Sequence, residues 1–372
     1  MDLVPPIARS RPGADRAAEP RDPSSTPDLL GHEPDGGWRC AFNRAAFHRL
    51  NRGPGDRVLQ LDEHHEGRPV GSLSGVLTTR DGVAVLTCGH SAPFGGLDLV
   101  RARETPERID ALAAGALARA RAAGAEVVRV RCRPEAHGPN EGPVVHALLR
   151  HGLRVEATDL TFVIGLDARG VDGYRDDLKR PARRALRQLE EDGAWSAEWL
   201  APDDDAGWRA AHALLAANRA AKGRRLALDA PYVLAARNGL GPAVVRMLVL
   251  RHAGVPVAAA LTYAATAGGW YVVAWGDHGH DLPRSPMNLL ALRVVEAAAA
   301  AGGRFVDLGV SSVPGSGRSG RPGPESPSMP TTRTVPAGDP DCPKVDPGLA
   351  QFKTSIGARP WLRLTLAGTT ER

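Results

Sequence analysis

Residues 246–309 read RMLVLRHAGVPVAAALTYAATAGGWYVVAWGDHGHDLPRSPMNLLALRVVEAAAAAGGRFVDLG. Apolar, β-forming residues cluster at 247–250, 257–263 and 270–275, with Gly254 and Gly268-Gly269 between them. Three such runs joined by glycine turns predict an antiparallel three-stranded meander. A helix is expected next. Ser285 suits its N-cap and Pro286 its first position, while Leu289, Leu292 and Val295 share one face and Arg293 and Glu296 another. Gly302-Gly303 ends the helix, and residues 305–308 form a short strand able to return beside the third strand of the meander.

The same pattern occurs earlier in the chain. When Gly67 is laid over Gly254, 187 residues on, Pro69 falls on Pro256, Val70 on Val257, Gly82 on Gly269, Val85 on Val272 and Gly89 on Gly276, without a gap. Glycine and proline stand where backbone geometry is dictated, so a fixed offset between them implies two meanders that turn at the same places. Residues 106–123 form an Ala/Arg-rich helix closed by Gly124, and 127–130 form the strand after it. The expected architecture is α/β (α+β): tandem duplicated domains at 37–170 and 171–372, each a mixed, mainly antiparallel sheet flanked by helices. In this reading Gly67 pairs with Gly254 and Gly82 with Gly269 at equivalent turns, and each copy carries its own sheet.

A length of 372 residues suits two domains, each large enough for a core of its own. Residues 1–36, rich in Pro, Arg, Asp and Ser, bury too little apolar surface to offset their ordering entropy and are expected to be a disordered tail. That tail lacks the apolar run of a signal peptide, and nothing in the chain reaches the length of a membrane-spanning helix, so the cytoplasm is the expected compartment. Four cysteines without CxxC spacing indicate neither a disulfide framework nor a zinc site, and no metal site is expected. A net charge of +5 and a pI near 9.3 suit an anionic partner such as RNA, a nucleotide or phosphate.

Between the two meanders, residues 153–157 and 161–166 are expected to close the first domain as a hairpin. A basic helix at 174–191 follows, with Tyr174, Leu178, Ala182 and Leu186 on one stripe and Lys179, Arg183 and Arg187 recurring every four residues. It reads either as a solvated linker or as a surface for phosphates. Residues 312–346, which include GSGRSGRPG, are expected to be a flexible Pro/Gly-rich loop rather than a phosphate loop, because the glycine run leads into more prolines and not directly into a helix. Structure resumes at 348–353, and a strand at 361–366 completes the sheet.

No metal motif, Ser-His-Asp signature, Walker sequence or nucleotide fingerprint is present. Helix, meander, helix and strand in this order resemble the GNAT acyltransferase fold. Two copies in tandem resemble the Fem family of aminoacyltransferases and their FemAB-like and BioF2-like relatives. Three stretches carry the resemblance: SAPFGG at 91–96, which contains Phe94, Gly95 and Gly96; the helix and strand within 285–309; and GLAQFKTSIGA at 348–358, where Ile356 replaces the usual aromatic residue.

The resemblance implies transfer of an aminoacyl or acyl group to an amine of a small molecule or a cell-wall precursor. In this fold the cleft opens where the third meander strand and the strand after the helix splay apart, which places Trp275, Gly276 and Asp277 opposite Asp307 and Gly309. Asp277, His278 and His280 are candidate bases. By the motif match, Phe352 and Lys353 line the transfer site, with Lys353 neutralising a phosphate or the developing negative charge; the alternative for Lys353 is a surface lysine on a strand. Acetyl-CoA enzymes of this fold hold the pyrophosphate on backbone N–H groups ahead of the helix, but here that position is HGHDLPRSPM, where Pro283 and Pro286 remove donors. This favours aminoacyl-tRNA as the donor substrate over acyl-CoA, with no permanently bound cofactor. A carrier-protein or acyl-CoA donor, and a non-catalytic binding protein of the same fold, remain the alternatives.

Overall fold

The computed structural model describes residues 38–279, 282, 284–313 and 344–370. The tail at 1–36, most of the 312–346 segment and His280 lie outside the described residues. The first half of the chain runs α1 (Ala45–Asn51), β1 (Arg57–His65), β2 (Arg68–Arg80), β3 (Val83–Cys88), β4 (Leu97–Leu99), α2 (Pro106–Ala122), β5 (Val127–Arg131), α3 (Glu141–Arg150) and β6 (Arg154–Gly165). The second half opens with α4 (Gly170–Asp177), α5 (Arg180–Glu191), β7 (Trp195–Trp199), α6 (Asp205–Ala221) and α7 (Ala230–Leu240). Then come β8 (Val245–His252), β9 (Val255–Thr266), β10 (Gly269–Asp277), α8 (Met287–Ala300) and β11 (Phe305–Val310). The pair β12 (Ser312–Val313) and β13 (Lys344–Val345), then α9 (Pro347–Ser355) and β14 (Arg359–Thr369), end the order.

The two meanders share their details. Glu66-Gly67 and Ala253-Gly254 both take positive φ at both turn residues, the geometry of a tight turn whose twist matches its strands. Both second strands also bulge at equivalent places, at Val70 in β2 opposite Glu63-His64 and at Val257 in β9 opposite Leu250-Arg251, again 187 residues apart. The second turns differ. Gly82 has φ +80°, but its counterpart in the second meander is Gly268, with φ +121°, and Gly269 has already joined β10. The Gly82/Gly269 equivalence is therefore one residue out. Beside this turn β9 bulges at Ala265, which is left between the partners of Gly269 and Trp270.

Three expectations are corrected by longer-range pairing. The hairpin at 153–166 is one continuous strand, β6, because β14 pairs along it from Arg154 to Val163 and β11 pairs with its other edge from Thr161 to Gly165. The helix at 174–191 is two helices. Leu178 and Lys179 are extended, and Pro181 starts α5 in the first turn, where its missing N–H costs nothing. The separate sheets are one: among the described residues twelve strands join in the order β1-β2-β3-β5-β14-β6-β11-β10-β9-β8-β7, with β4 on β2. The last strand of the chain pairs with β5 of the first half, and β6 of the first half pairs with β11 of the second.

Helices cover the sheet where it is apolar. α5 and α8 bury Leu186, Leu189, Leu289, Leu292 and Val295 on one face of β8–β11, while α6 and α7 bury Trp208, Leu215 and Val233 on the other. In the first half α2 and α3 bury Ile109, Leu112, Val144 and Leu148. No helix among the described residues is long and apolar enough to cross a membrane.

Candidate active site

The sheet opens at one place. β10 and β11 run parallel and pair at Gly269, Trp270 and Tyr271 with Phe305, Val306 and Asp307, and then part. Beyond Tyr271, β10 stays paired to β9 through Asp277, so its other edge faces the gap. The matching position in the first half is shut: β3 pairs with β5 as far as Cys88 and Val130, and the following loop folds back on the strand ends. There the Gly95 amide donates to Arg131 O at 2.7 Å, and the Arg131 guanidinium donates to Ala92 O at 3.0 Å. Phe94 in this loop is fully buried against Phe42, His137 and Tyr271, and Gly96 O accepts from Asn43 Nδ2. Phe94, Gly95 and Gly96 thus plug the first gap and support the second from behind.

β11 is bent at the open gap by a bulge. Asp307 lies opposite Val163 of β6 and Val310 opposite Thr161, so Leu308 and Gly309 together occupy the space of one residue. Gly309 has φ +74°, and a Cβ there would sit 2.9 Å from the Tyr271 hydroxyl, so both conformation and space require glycine. The carbonyls of Gly309 and Val310 accept hydrogen bonds from Lys353 Nζ, at 2.8 and 3.1 Å.

Lys353 is on helix α9, not on a strand, and it is only 1% exposed. Asp346 caps this helix by accepting from the Leu349 amide, and Pro347 occupies its first turn. Beyond the two carbonyls, Lys353 Nζ lies 5.4 Å from the Phe162 ring centroid, and among the described residues no carboxylate forms an ion pair with it. Burial lowers its pKa to about 7; Asp307 opposes the shift, Arg219 adds to it and Asp346 opposes it. An ammonium has three N–H donors, so two carbonyl partners leave one for a ligand. Beside it, Phe352 is half-buried against Trp275, with ring centroids 5.7 Å apart.

Asp307 points the other way. Its carboxylate accepts from Thr161 Oγ1 at 2.5 Å and from the Gly309 amide at 2.7 Å, and its second oxygen lies 2.9 Å from His137 Nε2. Thr161 and Phe162 are neighbours on β6 and face opposite sides of the sheet, so Asp307 and Lys353 lie on opposite faces of the bulge. Asp307 is 1% exposed.

The remaining sequence-predicted residues are placed as follows. Gly276 packs so closely on Asn218 that a Cβ would lie 2.6 Å from its side chain. Asp277 ends β10 half-buried, where Asn218 Nδ2 donates to its backbone carbonyl at 2.8 Å and to its carboxylate at 3.2 Å. His278 follows it, exposed, with its amide on Val257 O. Arg183 and Arg187 are exposed on α5. Arg183 donates to the Asp176 and Leu178 carbonyls at the end of α4.

Sequence reasoning missed the far rim. The end of α6 brings Asn218 onto Asp277 and Lys222 onto Asn218, Arg219 lies within electrostatic reach of Lys353, and Arg224 pairs with Asp346 at 3.2 Å. The basic cluster NRAAKGRR at 218–225 was the available signal. His137 was missed too, a lone loop histidine 170 residues from its partner Asp307.

Residues 177–315 match the family model described as an acetyltransferase (GNAT) domain. Among solved structures, FemX is similar over 91% of this chain and 94% of that chain, with a TM-score of 0.62 and 12% identity. The C-terminal domain of a putative lysylphosphatidylglycerol synthetase from Agrobacterium fabrum is similar over 89% of this chain and 88% of that chain, with a TM-score of 0.49 and 14% identity. L-PGS from Bacillus licheniformis is similar over 82% of each chain, with a TM-score of 0.47 and 12% identity. No curated protein matches the sequence significantly. The chain has a GNAT fold, with an architecture similar to that of FemX over nearly its whole length.

Proposed function

We propose that this chain is an N-acyltransferase that moves an aminoacyl or acyl group onto the amine of a small molecule or cell-wall precursor, with aminoacyl-tRNA as the donor. The amine nitrogen attacks the acyl carbonyl carbon; a C–N bond forms, the C–O bond to the donor's ribose breaks, and the proton lost by the amine ends on the departing hydroxyl. The observation that carries this reading is Lys353: a buried cation at the only gap between paired strands of the described sheet, held by two carbonyls with a third N–H to spare. That N–H is a preorganised donor for the oxyanion formed during acyl transfer. Trp275 and Phe352 supply an apolar wall, and the Asp277 carboxylate at the end of the open edge is placed to take the amine proton.

Two features support a phosphate-rich donor that is not acyl-CoA. The start of α8 offers few free amides, since Pro286 stands at its cap and the Met287 amide is already directed at Ser285 Oγ, 3.4 Å away. Lys222 and Arg224 meanwhile follow Arg219 at the end of α6, and Arg219 acts electrostatically on Lys353, a run of cations suited to phosphodiester groups. The test incubates the full chain with charged, labelled tRNA pools and, separately, with acyl-CoAs, and follows label into lysine-containing precursors and other amines. Lys353→Ala should lower turnover by about 10² while the fold persists, and Lys353→Arg should recover part of the loss. Full activity of Lys353→Ala with either donor would overturn the assignment.

A further inference from the structure

The bulge at the end of β11 is held from behind. Its amide at Gly309 is bonded to Asp307, its carbonyls at Gly309 and Val310 are bonded to Lys353, and these two side chains never meet because they sit on opposite faces of the sheet. Asp307 is fixed on three sides: by Thr161 from β6, by the Gly309 amide, and by His137 from the loop after β5. His137 is itself clamped, stacked on Phe305 with centroids 4.4 Å apart and meeting Phe94 edge-on at 4.8 Å. Its Nδ1 is buried and has no hydrogen-bond partner among the described residues, so the ring is oriented through Nε2 and packing alone. A buried carboxylate with three hydrogen-bonding contacts is a costly arrangement for holding one glycine turn unless the position of that turn matters.

We infer that Asp307, set by His137 and Thr161, is a positioning residue that acts through the Gly309 bulge to fix the two carbonyls, and hence the ammonium, of Lys353. The inference rests on Lys353 acting at the transfer step, but its test does not. Asp307 is buried on the face of the bulge opposite Lys353; its carboxylate favours the charged form of Lys353 across the bulge, against the effect of burial and of Arg219 from α6, and alongside Asp346 from the start of α9. The consequence for the first half of the chain is functional: His137 and Thr161 belong to it, and both converge on the cradle of a second-half lysine.

The experiment is a pH titration of lysine Nζ by NMR on the full chain labelled with 13C- and 15N-lysine. The sequence has only Lys179, Lys222, Lys344 and Lys353, and the Lys353 signal is assigned by its loss in Lys353→Arg. Asp307→Asn keeps an oxygen for the Gly309 amide and removes the charge. It should lower the Lys353 midpoint by about one pH unit or more, the scale expected when a nearby opposite charge is removed. Thr161→Val, which removes one donor to the carboxylate and no charge, should broaden or displace the Lys353 signal without moving those of the other three lysines. If Asp307→Asn does not fold, Thr161→Val carries the test. An unchanged Lys353 midpoint and line shape in the folded variants would overturn the inference. Inactive Lys353→Ala together with an unmoved titration sinks the positioning network alone; active Lys353→Ala with a moved titration sinks the transfer role alone.

Discussion

Replacing Lys353 by methionine should make the protein more stable near neutral pH and less stable in alkali. The methionine has a similar length and no charge to desolvate. Lowering the lysine from its ordinary 10.5 to about 7 corresponds, at 1.36 kcal/mol for each pH unit, to a penalty of about 5 kcal/mol for holding the ammonium in the fold. The sign follows from proton counts. Below pH 7 both folded and unfolded chains carry the proton, and the full penalty is present. Between pH 7 and 10.5 only the unfolded chain binds it, so stability rises with pH; above 10.5 the penalty is gone. Against this gain, methionine leaves the Gly309 and Val310 carbonyls without their donor, at about 1 kcal/mol each. The variant should therefore be about 3 kcal/mol more stable at pH 6.5, equal to the parent near pH 9, and less stable above it. Urea midpoints at pH 6.5, 8 and 9.5, read by tryptophan fluorescence, measure this. A variant less stable at pH 6.5, by an amount that does not change with pH, would refute the claim that Lys353 is a desolvated cation kept against the interest of the fold.

Two further outcomes are expected. Arg184 and Arg187 are exposed on α5, opposite the buried Ala182, Leu186 and Leu189; replacing them together with Lys179 by Gln should flatten the salt dependence of tRNA binding and leave stability within about 0.5 kcal/mol. Filter binding over a salt series checks this, and an unchanged slope would make α5 a plain connecting helix. The fragment 171–372 alone should show no cooperative unfolding in calorimetry, because β11 and β14 would lose β6 and β5; a sharp transition would show that the second half folds by itself.

Local chemistry made much of this fold legible. Gly254 with Ala253, the run at 257–263, the Pro106 and Gly124 boundaries and the strand after α8 are all set by residues within a few positions of each other. Pro181 was visible as well, but Leu178, Ala182 and Leu186 keep helical spacing across the break, so periodicity alone joined α4 to α5. What could not be read is what depends on register between distant segments. β6 carries polar residues at its start because its middle position in the sheet leaves Arg154 to Thr158 uncovered by helices, which imitates a turn between two short strands. The motif around Phe352 and Lys353 marked the right lysine, yet nothing local distinguishes an exposed lysine from one buried on two carbonyls. That distinction is made by the Gly309 bulge, whose shape depends on Tyr271, Thr161 and His137, each from a different element.

The two halves turn alike, but only one of them opens. In the first, parallel pairing continues to the ends of β3 and β5, and the loop carrying Phe94 seals what remains. In the second, pairing stops after three residues, since Asp307 draws the Gly309 amide back toward β6 and bends β11 away from β10. The bend needs a fixed backing. β6 supplies it, itself clamped by β14, where Arg363 joins Asp159 at 2.6 Å and also donates to Pro93 O in the sealing loop. Closing the first gap and opening the second are therefore parts of one arrangement: the loop that plugs the one holds, through Phe94, His137 and Arg363, the strands that spread the other. A substitution in the first half that loosened β6 or His137 would therefore act on the gap between β10 and β11 without touching anything bound there.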